Sequence, residues 1–229
     1  MITAQRVPQI MQSVIFDMDG VIIDSHPAHR RAWQEFLRTI GQEVPEHDLD
    51  FILDGRKRPE ILRHFLGEVS EAQLAEYGKR KDYFFQQIAL EISPVPGVID
   101  FITRLSRQGV MLAIATSASQ TRTRSTLKRL NLTDHFAVVV TGDDVTNSKP
   151  DPAIYNLVCS RLQSQARHSL AVEDAVSGIR AAKEAGLKCV GVVGSRCEGK
   201  LRAAGADHVI ENFVGLSLNS LQGILEERS

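Results

Sequence analysis

From about residue 95 onward the chain alternates short, unbroken apolar runs with helical patterns, and this rhythm limits the fold more than any other feature. Residues 110–115, 136–140, 169–172, 189–193 and 209–210 read as strands. Helical patterns lie between them. The first carries Val98, Phe101, Ile102 and Leu105 and stops at Gly109; others run through about Leu130, start near Pro152, end before Gly186, and precede the last strand. Residues 14–16, Val-Ile-Phe, add an earlier strand. Strands that are apolar along their whole length, not on alternate positions, belong to a parallel sheet covered on both faces. The expectation is a doubly wound, Rossmann-like α/β core, whose ligands sit beyond the carboxyl ends of the strands.

Residues 26–92 break this rhythm. They hold amphipathic helical patterns at 29–40, 59–66 and 71–92 and no convincing strand. A helical insertion directly after the first strand accounts for them. The expected division is a core of residues 1–25 and 94–229 with a small helical cap of residues 26–93, joined by linkers near 24–27 and 92–96.

Bulk properties narrow the function. A length of 229 residues with 43% hydrophobic content suits one good-sized core with a small insertion. With 27 basic and 28 acidic residues, the net charge of -1 leaves no electrostatic footprint for nucleic acid or an anionic membrane. No apolar run approaches the ~20 residues that span a bilayer, and the N-terminal segment lacks the pattern of a signal peptide. Cys159, Cys189 and Cys197 show no Cys-x-x-Cys spacing, so neither a disulfide framework nor a zinc site is expected. A cytoplasmic protein with reduced thiols, acting as a monomer, fits these properties.

Four clusters fall at or just beyond strand ends. Asp17 and Asp19 follow the first strand, with Gly20 supplying a sharp turn. In extended backbone, positions i and i+2 share a face, so both carboxylates point into one pocket. Two acids that close ask for a metal, a shared proton, or both. Thr116 and Ser117 offer hydroxyls and backbone N–H groups where the chain enters a helix, a setting that suits an oxyanion or an ordinary helix cap. Lys149 stands alone on a turn between Ser148 and Pro150, and Glu173 and Asp174 sit between a strand and a helix. Converging on one sheet rim, a carboxylate nucleophile, a second carboxylate, hydroxyl donors, a lysine and metal-binding acids make a site for phosphoryl transfer. A hard, oxygen-bound cation such as Mg2+ meets its need for charge neutralisation.

Taken in order, Asp17-x-Asp19-Gly20, Thr116-Ser117, Lys149-Pro150 and Glu173-Asp174 resemble the four motifs of the haloacid dehalogenase superfamily. The stretches from Asp17 through Ser25, His29 with Arg31-Ala32-Trp33, Gly55 with Arg58, Lys79-Arg80-Lys81, and Gly178-Ile179 with Ala181-Ala182 resemble its β-phosphoglucomutase-like phosphatases, which carry a helical cap between the first two motifs. The resemblance implies that Asp17 attacks phosphorus to form an aspartyl-phosphate, and that Asp19 moves protons. It implies Mg2+ held by Asp17, the Asp19 backbone carbonyl and Asp174, with Glu173 in support through water. Thr116, Ser117 and Lys149 would hold the transferring phosphoryl group, Thr116 being the favoured hydroxyl.

In the cap, the resemblance implies that His29 and Lys81 couple substrate binding to closure and to Asp19. The basic loop with Gly55, Arg56, Lys57 and Arg58 is expected to face the site and meet the far end of the substrate. Asp54 stands where the mutases carry a lysine, and Gln120-Thr121 replaces their Lys-Asn pair. Both departures disfavour a mutase. The expected activity is therefore Mg2+-dependent hydrolysis of a small sugar or polyol phosphate monoester. The alternatives are a hexose-phosphate mutase and, against the evidence of the second acid and the cap, a non-enzymatic phosphoacceptor module.

Overall fold

The computed structural model describes residues 11–89, 92–194 and 197–226. Six parallel strands form one sheet: β1 (Ser13–Phe16), β2 (Met111–Ala115), β3 (Val138–Val140), β4 (Ser169–Glu173), β5 (Lys188–Val192) and β6 (His208–Ile210). Their order is β3-β2-β1-β4-β5-β6, so β1 is central and the chain winds outward to both sides. The doubly wound α/β expectation holds.

Both faces of the sheet are buried, which explains the unbroken apolar runs. Val14 and Phe16 of β1 point into one core layer with Val98, Phe101, Ile102 and Leu105 of α5 (Val98–Arg107) and with Leu221 and Ile224 of α10 (Leu218–Glu226). Ile15 points into the other, with Ile154, Tyr155 and Val158 of α7 (Ala153–Leu162), Ile179 of α8 (Val176–Glu184) and Leu201 of α9 (Glu198–Ala203). Phe16 sits edge-on to Phe101 and Phe136, with ring centroids 6.4 and 6.2 Å away. The C-terminal helix α10 was not anticipated from sequence. It covers the end of the first layer.

Strand register explains why the four clusters converge. Phe16 lies beside Ile114 on β2 and Val172 on β4, and Ala115 lies beside Val140 on β3. Asp17, Thr116, Thr141 and Glu173 therefore leave the sheet side by side, and the Asp17 N–H extends the ladder by donating to the Val172 carbonyl at 2.9 Å.

Between β1 and α5 lie α1 (His26–Arg38), α2 (Leu49–Ile52), α3 (Arg58–Leu66) and α4 (Glu71–Ile88). Trp33, Phe36, Leu37, Leu49, Ile52, Ile61, Leu62 and Leu74 form a core of their own among these helices. A capping box starts α4: the Ser70 hydroxyl accepts the Gln73 N–H, and the Gln73 side chain accepts the Ser70 N–H at 2.9 Å. The four-residue α2 is too short to leave a periodic signal in the sequence. The chain leaves and re-enters the sheet region along paired backbone, with the Asp24 N–H donating to the Ser93 carbonyl and the Val95 N–H to the Ile22 carbonyl. The tail of the expected helix at 71–92 falls partly on residues 90–91, outside the described residues. Among the described residues, no helix is long and apolar enough to cross a membrane.

Candidate active site

Lys149 ties the strand ends together. Its ammonium donates to Asp17 Oδ1 at 2.7 Å, Glu173 Oε1 at 2.6 Å and the Ala115 carbonyl at 2.9 Å. At 2% exposure it is no solvated surface charge. Burial lowers its proton affinity, but the two carboxylates outweigh that and raise it, so Lys149 stays charged. Asp17 is the opposite case. Burial pushes its carboxyl well above the ordinary range; Lys149 pulls down, while Glu173, Asp19 and Asp174 push up again.

Asp17, Glu173 and Asp174 offer oxygen atoms that all lie within 4.8 Å of one another. An oxygen-only set with crowded negative charge fits a hard divalent cation. The three acids are not equivalent, however. Glu173 Oε1 accepts from Lys149 and from the Tyr155 hydroxyl at 2.6 Å, while Oε2 accepts from the backbone N–H groups of Asp174 and Ala175. Both of its oxygens are thus committed, which suits a supporting role. Asp174 faces His26 Nε2 at 3.1 Å. Two glycines make this packing possible. A Cβ on Gly178 would lie 2.2 Å from the Glu173 carboxylate, and one on Gly20, whose φ is +76°, would lie 2.5 Å from Asp174 Oδ2.

Asp19 belongs to a second network. Its Oδ1 accepts from the Ser25 hydroxyl at 2.6 Å and lies 3.3 Å from His29 Nε2. Arg122, in the first turn of α6 (Gln120–Arg129), grips both oxygens, Nη1 to Oδ1 at 2.7 Å and Nη2 to Oδ2 at 2.5 Å. Burial opposes ionisation of Asp19, yet Arg122 and His29 hold it well below the usual carboxylate range. Behind His29, Lys81 Nζ lies 3.2 Å from Nδ1. Burial, reinforced by Lys81, drops His29 to about 3, so its ring is neutral. Lys81 is itself lowered to about 7 by burial and by Arg122. Phe85 stacks on His29 at 4.4 Å and has Lys81 Nζ 4.5 Å from its ring centre. Trp33 is core packing, buried to 2%.

The hydroxyls differ in use. Thr116 Oγ1 accepts the Ala118 N–H at 3.2 Å. Ser117 Oγ donates to the carbonyl of Gly55 at 2.6 Å, linking the β2 end to the basic loop. That loop is stitched to the rim elsewhere too. Ser177 donates its N–H to Asp54 Oδ1 at 3.1 Å and its hydroxyl to the Asp54 carbonyl, and Lys57 Nζ donates to the carbonyls of Val145 and Thr146. Arg58 borders the cleft but is paired with Asp82, Nη2 to Oδ1 at 2.7 Å and to Oδ2 at 2.8 Å.

These groups surround a cleft of about 530 Å³ between the sheet rim and the helices, bordered by Asp17, Asp19, His29, Gly55, Arg58, Lys81, Thr116, Ser117, Glu173 and Asp174. Lys149 lies beneath it. Sequence reasoning missed Arg122, His26 as a partner of Asp174, Tyr155 and Ser25. Arg122 left a usable signal: it falls three positions after Ser119, whose hydroxyl accepts the Arg122 N–H as the cap of α6. The others depend on tertiary contact.

The family model described as "Haloacid dehalogenase-like hydrolase" matches residues 14–192. The "Phosphorylated carbohydrates phosphatase" of Thermotoga maritima is 35% identical over 210 residues, covering 86% of this chain and 92% of that protein. The "Beta-phosphoglucomutase" of Bacillus subtilis is 29% identical over 92% of this chain and 94% of its own length. Among solved structures, CbbY from Rhodobacter sphaeroides in complex with phosphate superposes with a TM-score of 0.80 at 28% identity, covering 93% of this chain and 99% of that one. Fold, motif order and relatives agree: this chain is an enzyme of the haloacid dehalogenase-like hydrolase family, among its β-phosphoglucomutase-like phosphatases.

Proposed function

We propose that this enzyme is a Mg2+-dependent phosphatase that hydrolyses a small sugar or polyol phosphate through an aspartyl-phosphate on Asp17. The observation that carries the reading is the division of labour between the two acids. Asp17 is bound to Lys149 within the acidic cluster at the strand ends, whereas Asp19, two residues on, is wired to His29, Ser25 and Arg122. One carboxylate is set up for attack and the other for proton transfer.

In the first half-reaction the Asp17 carboxylate attacks phosphorus, the ester P–O bond breaks, and Asp19, having gained a proton on release from Arg122, gives it to the departing oxygen. In the second, Asp19 takes a proton from the water that attacks the aspartyl-phosphate, which frees Asp17 and inorganic phosphate. Thr116, Ser117 and Lys149 hold the transferring group by hydrogen bonds and charge. Asp17 and Asp174, with the Asp19 carbonyl, would hold Mg2+, and Glu173 would support it. When bound, the cation neutralises charge that Lys149 alone cannot. Helices α1–α4 act as a cap of residues 26–93 over a core of residues 1–25 and 94–229. The reading needs one chain and a small molecule, without nucleic acid or membrane.

A mutase remains the second reading, on the strength of the relative of that name. Asp54 favours hydrolysis. Where the resemblance places a lysine, this chain has a carboxylate that accepts the Ser177 N–H. Phosphate release across a panel of sugar, polyol and nucleotide monophosphates, with glucose 1-phosphate isomerisation assayed in parallel, separates the two. Phosphate release from sugar or polyol esters is the expected result; isomerisation without net release would overturn it.

A further inference from the structure

We infer that Lys57 is a positioning residue for the phosphatase reaction proposed above, on which this inference rests. Its ammonium fastens the loop between α2 and α3 onto the segment that carries Lys149, and so holds Lys149 in place at the strand ends.

Lys57 opens α3 with extended backbone, and its side chain makes no capping bond to that helix. It borders the cleft, yet its ammonium turns to main chain beyond β3, donating to the Val145 carbonyl and, at 3.2 Å, to the Thr146 carbonyl. The charge that the loop's sequence offers to a substrate is thereby spent on the protein itself. Val145 and Thr146 lie in irregular backbone just before Lys149. Among the described residues, no other group donates to either carbonyl. A charged donor makes these bonds stronger than neutral ones.

The start of this segment is fixed independently. Gly142 donates its N–H to the Ala118 carbonyl at 2.9 Å, and Asp143 Oδ2 accepts the Gln120 N–H at 2.8 Å. Its far end is Lys149, bound to Asp17, Glu173 and the Ala115 carbonyl. Between these anchors, Lys57 supplies the tie to the helices.

The same loop also presses on the Lys149 side chain. Gly55, at φ +68°, comes so near that a Cβ there would lie 3.6 Å from Lys149 Cδ and 2.9 Å from Ser177 Oγ. Gly55 thus covers the stem of Lys149 while Lys57 holds the main chain leading to it. With the loop unseated, water reaches Lys149 and its segment is free to shift. A displacement of about 1 Å in a positioned group can cost on the order of 10²-fold in rate.

The test separates a fastener from a substrate contact. Mg2+-loaded wild type, Lys57→Met, Lys57→Gln and Lys57→Arg are compared for hydrolysis of p-nitrophenyl phosphate. In parallel, brief labelling with acetic anhydride is read by mass spectrometry at Lys149, with the exposed Lys128 as internal reference. Lys57→Met and Lys57→Gln should lower kcat about tenfold or more and raise labelling of Lys149 relative to Lys128 severalfold. Lys57→Arg keeps a cation with donors for both carbonyls, and should restore most of kcat and of the protection. Lys57 lies outside the apolar core of the helices, so the variants should fold, which circular dichroism checks. Unchanged labelling of Lys149 in Lys57→Met and Lys57→Gln would overturn the inference. So would raised labelling with kcat unchanged, which reduces Lys57 to a structural contact. A higher KM with kcat and labelling unchanged would make Lys57 a substrate contact instead. Each of these results leaves the phosphatase reading standing. No phosphate release by wild type from p-nitrophenyl phosphate or from the sugar and polyol esters would remove that reading and the positioning role with it, while the labelling still reports whether Lys57 seats the loop.

Discussion

Asp54 caps a helix that begins more than a hundred residues after it. Its carboxylate accepts the backbone N–H of Ser177, in the first turn of α8, and its carbonyl accepts the Ser177 hydroxyl. The α8 N-cap residue, Ala175, has no side-chain oxygen, so the loop between α2 and α3 supplies the missing acceptor. A carboxylate there also meets the positive end of the helix dipole. The loop between α2 and α3 thus completes the start of α8.

Removing this bond should loosen closure. Asp54→Ala is expected to lower stability by about 0.5–2 kcal/mol, the usual cost of a lost cap. KM should rise several-fold with a smaller change in kcat, and Asp54→Asn, which keeps an acceptor, should fall between. Thermal melts and steady-state kinetics on the same preparations check both effects. Equal kinetics in all three proteins would show that the contact does not govern closure.

Asp17→Asn should abolish turnover, by on the order of 10³-fold or more, while leaving the fold intact. The amide keeps the size of the side chain and removes one of several crowded acids, so the melting temperature should hold or rise. Retained phosphate release in a clean preparation would take the nucleophile role away from Asp17.

Chelation should stop activity, and added Mg2+ should restore it. Because a cation bound only by the folded chain stabilises it by mass action, the melting temperature should climb with Mg2+ concentration in wild type and much less in Asp174→Asn. Metal-independent turnover would count against the carboxylate site.

Lys81 gives a pH signature. Its proton affinity falls from the ordinary 10.5 to about 7 in the folded chain, chiefly through burial. Between those values the unfolded chain binds more protons than the folded one, so stability from this group rises with pH across that window. Wild type should therefore be less stable than Lys81→Met near pH 7, by an amount on the order of a few kcal/mol, and the gap should close by about pH 10. Melts from pH 6 to 10 measure it. A pH-independent gap would mean that Lys81 keeps its proton despite burial.

Arg58→Ala should raise KM more than it lowers kcat, since Arg58 borders the cleft and is held there by Asp82. Asp82→Ala should reproduce part of the effect by releasing the guanidinium. An unchanged KM in both would remove this loop from the ligand's surroundings.

Much of this was legible in the chain itself. Residues 14–16, 112–115 and 170–172 are apolar on both faces because both faces are buried, and that pattern alone implies a parallel sheet with its ligands at the carboxyl rim. Asp17, Thr116, Lys149 and Glu173 could be read as one site because each lies at or beyond the end of a strand, and strand ends are local features. The helix α2 and the terminal α10 were not readable, being a single turn and a short amphipathic segment outside the alternating rhythm.

Sequence by itself placed Asp17, Thr116, Lys149, Glu173 and Asp174 at one end of the sheet, since periodicity and turn chemistry act over a few neighbouring residues. Only the tertiary structure decided how those residues are divided. Arg122 joins Asp19 across 103 positions, Lys149 joins Asp17 across 132, and Asp54 joins Ser177 across 123. Hydrogen bonds and ion pairs such as these depend on distance in space, which no local pattern encodes until the strands have stacked in register.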